Sequence, residues 1–302
     1  MSTGPKHISV CICTFRRPHL LKRLLAELEH QVVDNRFTYS LVVADNDSHE
    51  SARDCVVEFA ATSTVPTRYC PEPRQNIALA RNKAVEHATG DFIAFIDDDE
   101  FPCRDWLQRL LNTCEQYGVD AVLGPVRPHF DEEPPPWIIR GGFCERPEYS
   151  TGRVIKWSEG RAGNILLRRE VLSVASPPFD PAFNNGGEDM EFLRCASARG
   201  AAFVWCNEAA VYETVPPSRW TRRHMFKRAL LRGKNILKHP TRSRKLRLLA
   251  TSTVAVPLYL LALPVMSLGG QHLFMKYGIK LSEHLGRLLA LVGLNPVSER
   301  DV

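Results

Sequence analysis

Apolar residues in the first hundred positions alternate between short runs and helical spacing. Ile8 to Cys13 is a short, largely apolar run that stops at Thr14-Phe15-Arg16-Arg17-Pro18. Leu20, Leu21, Leu24, Leu25 and Leu28 then recur at helical period, with Pro18 in the first turn. Tyr39 to Ala44 predicts a second strand that ends in Asp45-Asn46-Asp47-Ser48, followed by a helix from about Ser51 to Ala61. Thr67 to Cys70 reads as a third strand and Asn76 to His87 as a helix closed by Gly90. Asp91 to Ile96 is a further strand running into Asp97-Asp98-Asp99.

Strands alternating with helices predict an α/β protein with a mostly parallel sheet flanked by helices, whose ligands gather at the carboxyl ends of the strands. Thr14, Asp45 and the triple aspartate all fall at such ends. A helix at Trp106 to Tyr117 and a strand at Ala121 to Gly124 follow. Pro125 to Ser150, with Pro134-Pro135-Pro136-Trp137, then reads as an exposed loop, and Trp137 is a candidate acceptor contact there. Gly163 to Leu167 predicts a strand, Glu188 to Arg199 a helix, and Ala202 to Cys206 a strand.

The C-terminal section differs in kind. Leu248 to Leu268 holds 21 residues without a charge, long enough to cross a bilayer despite Pro257 and Pro264. His272 to Leu294 is amphipathic and suits a surface better than a span. Arg219 to Arg247 carries twelve Lys and Arg and no Asp or Glu, within a chain whose net charge is only +5. That asymmetry asks for an anionic partner; without zinc-finger spacing or aromatic RNA-binding strands, nucleic acid is not the expectation. Arg219 and Arg228 are candidates to grip a diphosphate, and a basic strip facing acidic lipid is the alternative. The 302 residues are 44% hydrophobic and 24% charged, enough to bury a core and exclude a disordered or fibrous chain. Nine scattered cysteines predict small buried hydrophobes in a reducing cytosol, and no secretory signal is read at the N-terminus.

Three consecutive aspartates after a buried strand demand positive charge, because neighbouring carboxylates cannot all stay ionised unaided. A divalent cation, Mn or Mg, completed by a diphosphate, answers that demand. If the strand's alternation continues, Asp97 and Asp99 share a face; Asp99 is expected to hold the metal and Asp98 to approach a ribose. Asp45 can accept from the N3-H of a uracil ring, while Thr14 and Arg16 frame base and diphosphate. Arg81 can reach the aspartates or the nucleotide, or lie on the surface. Gly186-Gly187-Glu188-Asp189 is a second acidic centre, where a carboxylate at a helix start is a cap or a general base.

Taken together, Val10-Cys-Ile-Cys-Thr-Phe-Arg16, Val42-Val-Ala-Asp-Asn46, Ala80-Arg-Asn82, Phe95-Ile-Asp-Asp-Asp99, Gly163-Asn164 and Gly187-Glu-Asp189 resemble the family 2 glycosyltransferases, inverting enzymes of GT-A fold. Glu72-Pro-Arg-Gln-Asn-Ile-Ala-Leu-Ala-Arg81 and Ile96-Asp-Asp-Asp-Glu-Phe-Pro102 are similar to a bacterial branch that extends lipid-linked exopolysaccharide units of succinoglycan type.

The resemblance implies a nucleotide-sugar donor, most simply UDP-linked, and a lipid-linked saccharide acceptor. It implies Asp45 on uracil, Asp98 on ribose, Asp99 with Asp97 at the metal, Asp189 with Glu188 at the base position, and Gly163 and Asn164 beside the acceptor. It further implies a catalytic domain at 1–235, with a donor half to about 124 and an acceptor half from about 125. A membrane-associating region at 236–302 would then work at the cytoplasmic face of the inner membrane. Where many relatives carry Asp-Asp-Gly-Ser, this chain has Ala44-Asp-Asn-Asp47, and the Gln-x-x-Arg-Trp pattern of processive synthases is absent. The rival readings are a metal-dependent nucleotidyltransferase or phosphatase, and an inactive membrane-docked relative.

Overall fold

In the computed structural model, which describes residues 4–183, 186–236, 242–294 and 297, the elements follow the predicted alternation. They begin β1 (Lys6–Thr14), α1 (Pro18–Glu29), β2 (Phe37–Asp45), α2 (Arg53–Thr62), β3 (Thr67–Pro71), α3 (Ile77–His87) and β4 (Phe92–Asp97). Next come β5 (Glu100–Pro102), α4 (Trp106–Tyr117), β6 (Ala121–Leu123), β7 (Val126–His129), α5 (Pro136–Gly141) and β8 (Asn164–Arg168). The chain continues through α6 (Glu188–Ala198), β9 (Phe203–Trp205), β10 (Val211–Thr214), α7 (Arg222–Asn235), α8 (Arg242–Leu268) and α9 (Gln271–Leu291).

Seven strands form one sheet in the order β3-β2-β1-β4-β8-β6-β9. The first four are parallel, and β8 alone runs against its neighbours β4 and β6. Apolar side chains fill both faces, as a parallel sheet covered by helices requires. Leu21, Leu24, Leu25 and Leu28 of α1 pack with Ile8, Val10 and Ile12 on one side, while Ala80 and Ala84 of α3 pack with Cys11 and Ile93 on the other. The register sets Thr14 opposite Asp45 and Cys13 opposite Asp97, so three strand ends meet at one edge. A smaller sheet, β5-β10-β7, joins the same unit.

Two compact units result: Met1–Pro128 with Arg146–Thr214, and His129–Glu145 with Val215–Val302. The second is helical and has its own apolar cluster of Ile138, Trp220, Met225 and Met275.

Two expectations change. Strand alternation does not run through the triple aspartate, because β4 ends at Asp97 and a turn at Asp98-Asp99 leads into β5. The Pro125 to Ser150 stretch is not all loop: it contains β7 and α5, with Pro136 in the helix's first turn, where a missing N–H costs nothing. The basic run becomes α7 and the start of α8, and its part at 237–241 lies outside the described residues. All nine cysteines are reduced and none is exposed.

Candidate active site

The carboxyl end of β1 supplies the first side chains. Thr14 is buried and its hydroxyl donates to Asp98 Oδ2 at 2.8 Å. Arg16 takes a left-handed backbone, φ 55°, rare for a residue with a Cβ. Its guanidinium meets Asp47 at 3.2 Å. The next residue, Arg17, reaches Asp98 Oδ1 at 3.2 Å and Asp99 Oδ2 at 3.0 Å. Arg17 was not among the predicted site residues, because nothing in Arg16-Arg17-Pro18 tells which arginine faces the aspartates.

The triple aspartate therefore divides. Asp98 and Asp99 share Arg17, whereas Asp97 meets Arg81 Nη2 at 3.4 Å. Burial pushes the Asp98 carboxyl up to about 6; Arg17 and the Thr14 hydroxyl hold it down, and Asp99 adds to the rise. Desolvation also raises Asp97, against the pull of Arg81. Beneath them lies Glu100, also missed in the sequence, fully enclosed and accepting from the Asp97 amide at 3.3 Å. Burial first, and then Asp97, drives its carboxyl well above the ordinary range.

Arg81 is held in the interior by α3, whose first turn is capped by the Asn76 side chain accepting from Ala78 and Leu79. It lies beside the Phe95–Phe179 ring pair, 5.8 Å from each centroid. Its Nε is 3.2 Å from Glu188 Oε1. Glu188 is buried, and desolvation raises its carboxyl against the attraction of Arg81. Gly186 and Gly187, with φ of 93° and 98°, lead the chain into α6, a turn open to glycine and strained for other residues. Asp189 follows, partly exposed, with Oδ1 accepting from the Met190 amide at 2.7 Å and Oδ2 from Ala162 at 3.4 Å. The sequence paired Glu188 and Asp189 as catalytic; the structure separates an enclosed Glu188 engaged with Arg81 from an accessible Asp189.

Gly163 stands where a Cβ would come within 2.9 Å of both Asp97 Oδ2 and Glu100 Oε1, so only glycine leaves those carboxylates undisturbed. Asn164 does not face outward. Its amide donates to Pro125 and Ala209 carbonyls and accepts from the Trp106 indole at 2.8 Å, an enclosed set. Asp45 is likewise turned inward. Its oxygens accept from Asp47 and Ala52 amides and from the Tyr69 hydroxyl, and the residue is 0% exposed, so it braces the β2 turn. Trp137, Arg219 and Arg228 belong to the second unit, where Trp137 packs edge-on against Phe143.

Among the described residues no three His, Cys, Asp or Glu side chains converge as a ready-made metal cage. The donor set nonetheless fits a hard cation that keeps water and ligand oxygens in its shell and takes one or two carboxylates from the protein. Asp98 and Asp99 already draw a guanidinium, which shows the sign of charge this corner demands.

Comparison with known proteins bears on the family and the fold. The model of the family described as glycosyl transferase family 2 matches residues 9–174. The succinoglycan biosynthesis protein ExoM of Rhizobium meliloti is 36% identical over 76% of this chain and 74% of its own length. WfgD of Escherichia coli, a UDP-Glc:alpha-D-GlcNAc-diphosphoundecaprenol beta-1,3-glucosyltransferase, is 23% identical over 57% of this chain and 64% of its own. Among solved structures, mannosyltransferase PcManGT from Pyrobaculum calidifontis, in complex with GDP-Man and Mn2+, aligns with TM-score 0.63 at 18% identity, over 96% of this chain and 87% of its own. That likeness places the fold in the GT-A class.

Proposed function

The chain belongs to glycosyl transferase family 2 and is a glycosyltransferase, and from that premise we propose that it moves one sugar, with inversion, from a UDP-sugar to a lipid-linked saccharide. The setting is exopolysaccharide or other cell-surface glycan synthesis at the cytoplasmic face of the inner membrane. Residues 1–235 act as the catalytic domain and 236–302 as the membrane-associating region. The succinoglycan role named for ExoM supports the setting, and the donor and acceptor in WfgD's name support the substrates.

The observation that carries this reading is Arg81, which meets Asp97 at 3.4 Å and Glu188 at 3.2 Å and feels the charge of the accessible Asp189, so that the acids at the end of β4 and at the start of α6 gather on one buried guanidinium. Asp189 is the general base. Its carboxylate takes the proton of the acceptor hydroxyl while that oxygen bonds to the anomeric carbon and the nucleoside diphosphate departs from the opposite face. Asp99, with Asp97, holds a divalent cation, which when bound neutralises charge developing on the leaving diphosphate. Asp98, fixed by Thr14, lies toward the ribose, and Arg16 adds a donor contact. Glu188 fixes Arg81, and Arg81 in turn orients Asp97. Gly163 keeps the space before those carboxylates open.

Calorimetry with UDP-, GDP- and dTDP-sugars, with and without Mn, tests the donor and the metal together. Metal-dependent binding of a UDP-sugar is expected, and equal binding without metal refutes the role given to Asp99. Asp189→Asn is expected to lower turnover at least about a hundredfold while donor affinity stays. Near-normal turnover in that variant places the base elsewhere.

A further inference from the structure

The long apolar helix α8 bears two different faces. Val254, Leu258, Leu261, Val265 and Leu268 follow one another at intervals of four and three, so they form a single stripe, and each is at least 60% exposed. Ser252, Tyr259 and Leu263 lie on the other side, roughly 160° round the helix by its period, and these are the residues that meet α9. Ser252 Oγ is 3.0 Å from His284 Nδ1, the Tyr259 ring is 5.8 Å from that of Tyr277, and Leu263 lies against Gly278. From Ser252 to Leu263 the partners in α9 run from His284 back to Tyr277 and Gly278, so the two helices form an antiparallel hairpin turned at Gly269-Gly270.

This geometry bears on how α8 meets lipid. Within Lys245–Leu268 an 18-residue segment has mean hydropathy 1.9, and only 11% of that segment is buried within the chain. At 24 residues Lys245–Leu268 measures about 36 Å, long enough to cross a hydrocarbon core of about 30 Å. A crossing α8 would draw α9 into the hydrocarbon beside it, because their contacts extend from Ser252 to Leu263. With α9 would go Lys276, Lys280, Glu283 and Arg287. Charged groups are strongly disfavoured there, and Lys276 and Lys280 are exposed rather than paired inside the bundle. A lateral stripe backed by a charge-bearing helix is the arrangement of an element lying in the interface.

We propose that α8 lies along one leaflet, parallel to the membrane plane, with its Val254–Leu268 stripe on the acyl chains and α9 covering it from the aqueous side. The occupant of the stripe is an anionic lipid bilayer. Lys245 and Arg247 extend exposed from the start of α8, the last of a run from Arg219 without one acidic residue, and they complement acidic headgroups. This inference rests on the membrane association proposed above and adds the depth and direction of the helix.

The test uses the full chain bound to vesicles of phosphatidylethanolamine and phosphatidylglycerol. A fluorophore is placed on Val254→Cys or on Val265→Cys, and its depth is read by quenching with lipids brominated at different acyl positions. Each signal is taken as the difference from the wild-type chain carried through the same labelling. The two positions are eleven residues apart, about 16 Å along the axis. In the proposed orientation both labels are quenched best by the same shallow bromine position. A crossing helix places them at different depths, and that result overturns the proposal while leaving membrane association standing. Failure of the wild-type chain to sediment with the vesicles removes the membrane reading and this inference together. Leu261→Glu, on the exposed stripe, is expected to weaken vesicle binding at least about tenfold with the helical circular dichroism unchanged; unaltered binding also overturns the proposal.

Discussion

Arg81 and Glu188 face each other at 3.2 Å in the protein interior, tying α3 to the first turn of α6. Both are almost wholly withdrawn from water, so neither charge tolerates loss of the other. Arg81→Ala is expected to destabilise the fold by about 3–5 kcal/mol, the range for breaking a buried pair from one side. Urea unfolding checks it, and a loss under about 1 kcal/mol shows that Glu188 is not dependent on Arg81.

The same pair makes a pH prediction. Burial raises the Glu188 carboxyl above its ordinary 4.5, so the folded chain keeps this proton at pH values where the unfolded chain has released it. Its contribution is therefore greatest below about 4.5 and declines as pH climbs through the raised value. In Glu188→Gln that decline is absent. Unfolding curves between about pH 4.5 and 7 should show the wild type losing stability relative to the variant as pH rises. The opposite slope means that Arg81 outweighs desolvation and holds Glu188 ionised.

How far the sequence revealed this site depended on how local each signal was. β1, β2, β4 and α1 were legible because their apolar periodicity is set by burial against the same sheet. β5 and β10, at three and four residues of mixed polarity, become strands through pairing with each other across more than a hundred positions and, for β10, with β7 as well. No local window carries that information. At Asp45 a carboxylate at a strand end suits a base and a turn equally, and only the fold brings the Tyr69 hydroxyl, 24 positions on, to the same oxygens as the Ala52 amide. Arg17 escaped notice because the backbone twist at Arg16, which sends two adjacent arginines to different acids, has no signature in the residues themselves.

Gly163 offers a measure of how tightly the acidic corner is built. A methyl group there meets Asp97 and Glu100 at 2.9 Å, and those carboxylates are the atoms that must give way. Gly163→Ala should therefore leave stability within about 1 kcal/mol, while turnover falls at least about tenfold through misplaced carboxylates. Thermal unfolding and steady-state kinetics on one preparation separate the two effects. Full turnover in the variant means that Asp97 has room to move without consequence.

Arg17 supplies a positive charge at the place assigned to the cation, in contact with Asp98 and Asp99. Its side chain is 43% exposed, so it can swing toward solvent without a large packing penalty. A divalent ion arriving at Asp99 must compete with this guanidinium, because both draw on the same carboxylate oxygens. Removing the competitor by Arg17→Ala leaves crowded acids with a stronger demand for charge. Mn alone, titrated into the ligand-free protein, should then bind about threefold to tenfold more tightly, a gain of at most about 1.4 kcal/mol. Asp99→Ala is the control and should abolish the gain. Weaker Mn binding in Arg17→Ala shows instead that Arg17 holds the aspartates in the geometry the cation needs, and moves it from competitor to organiser of the site.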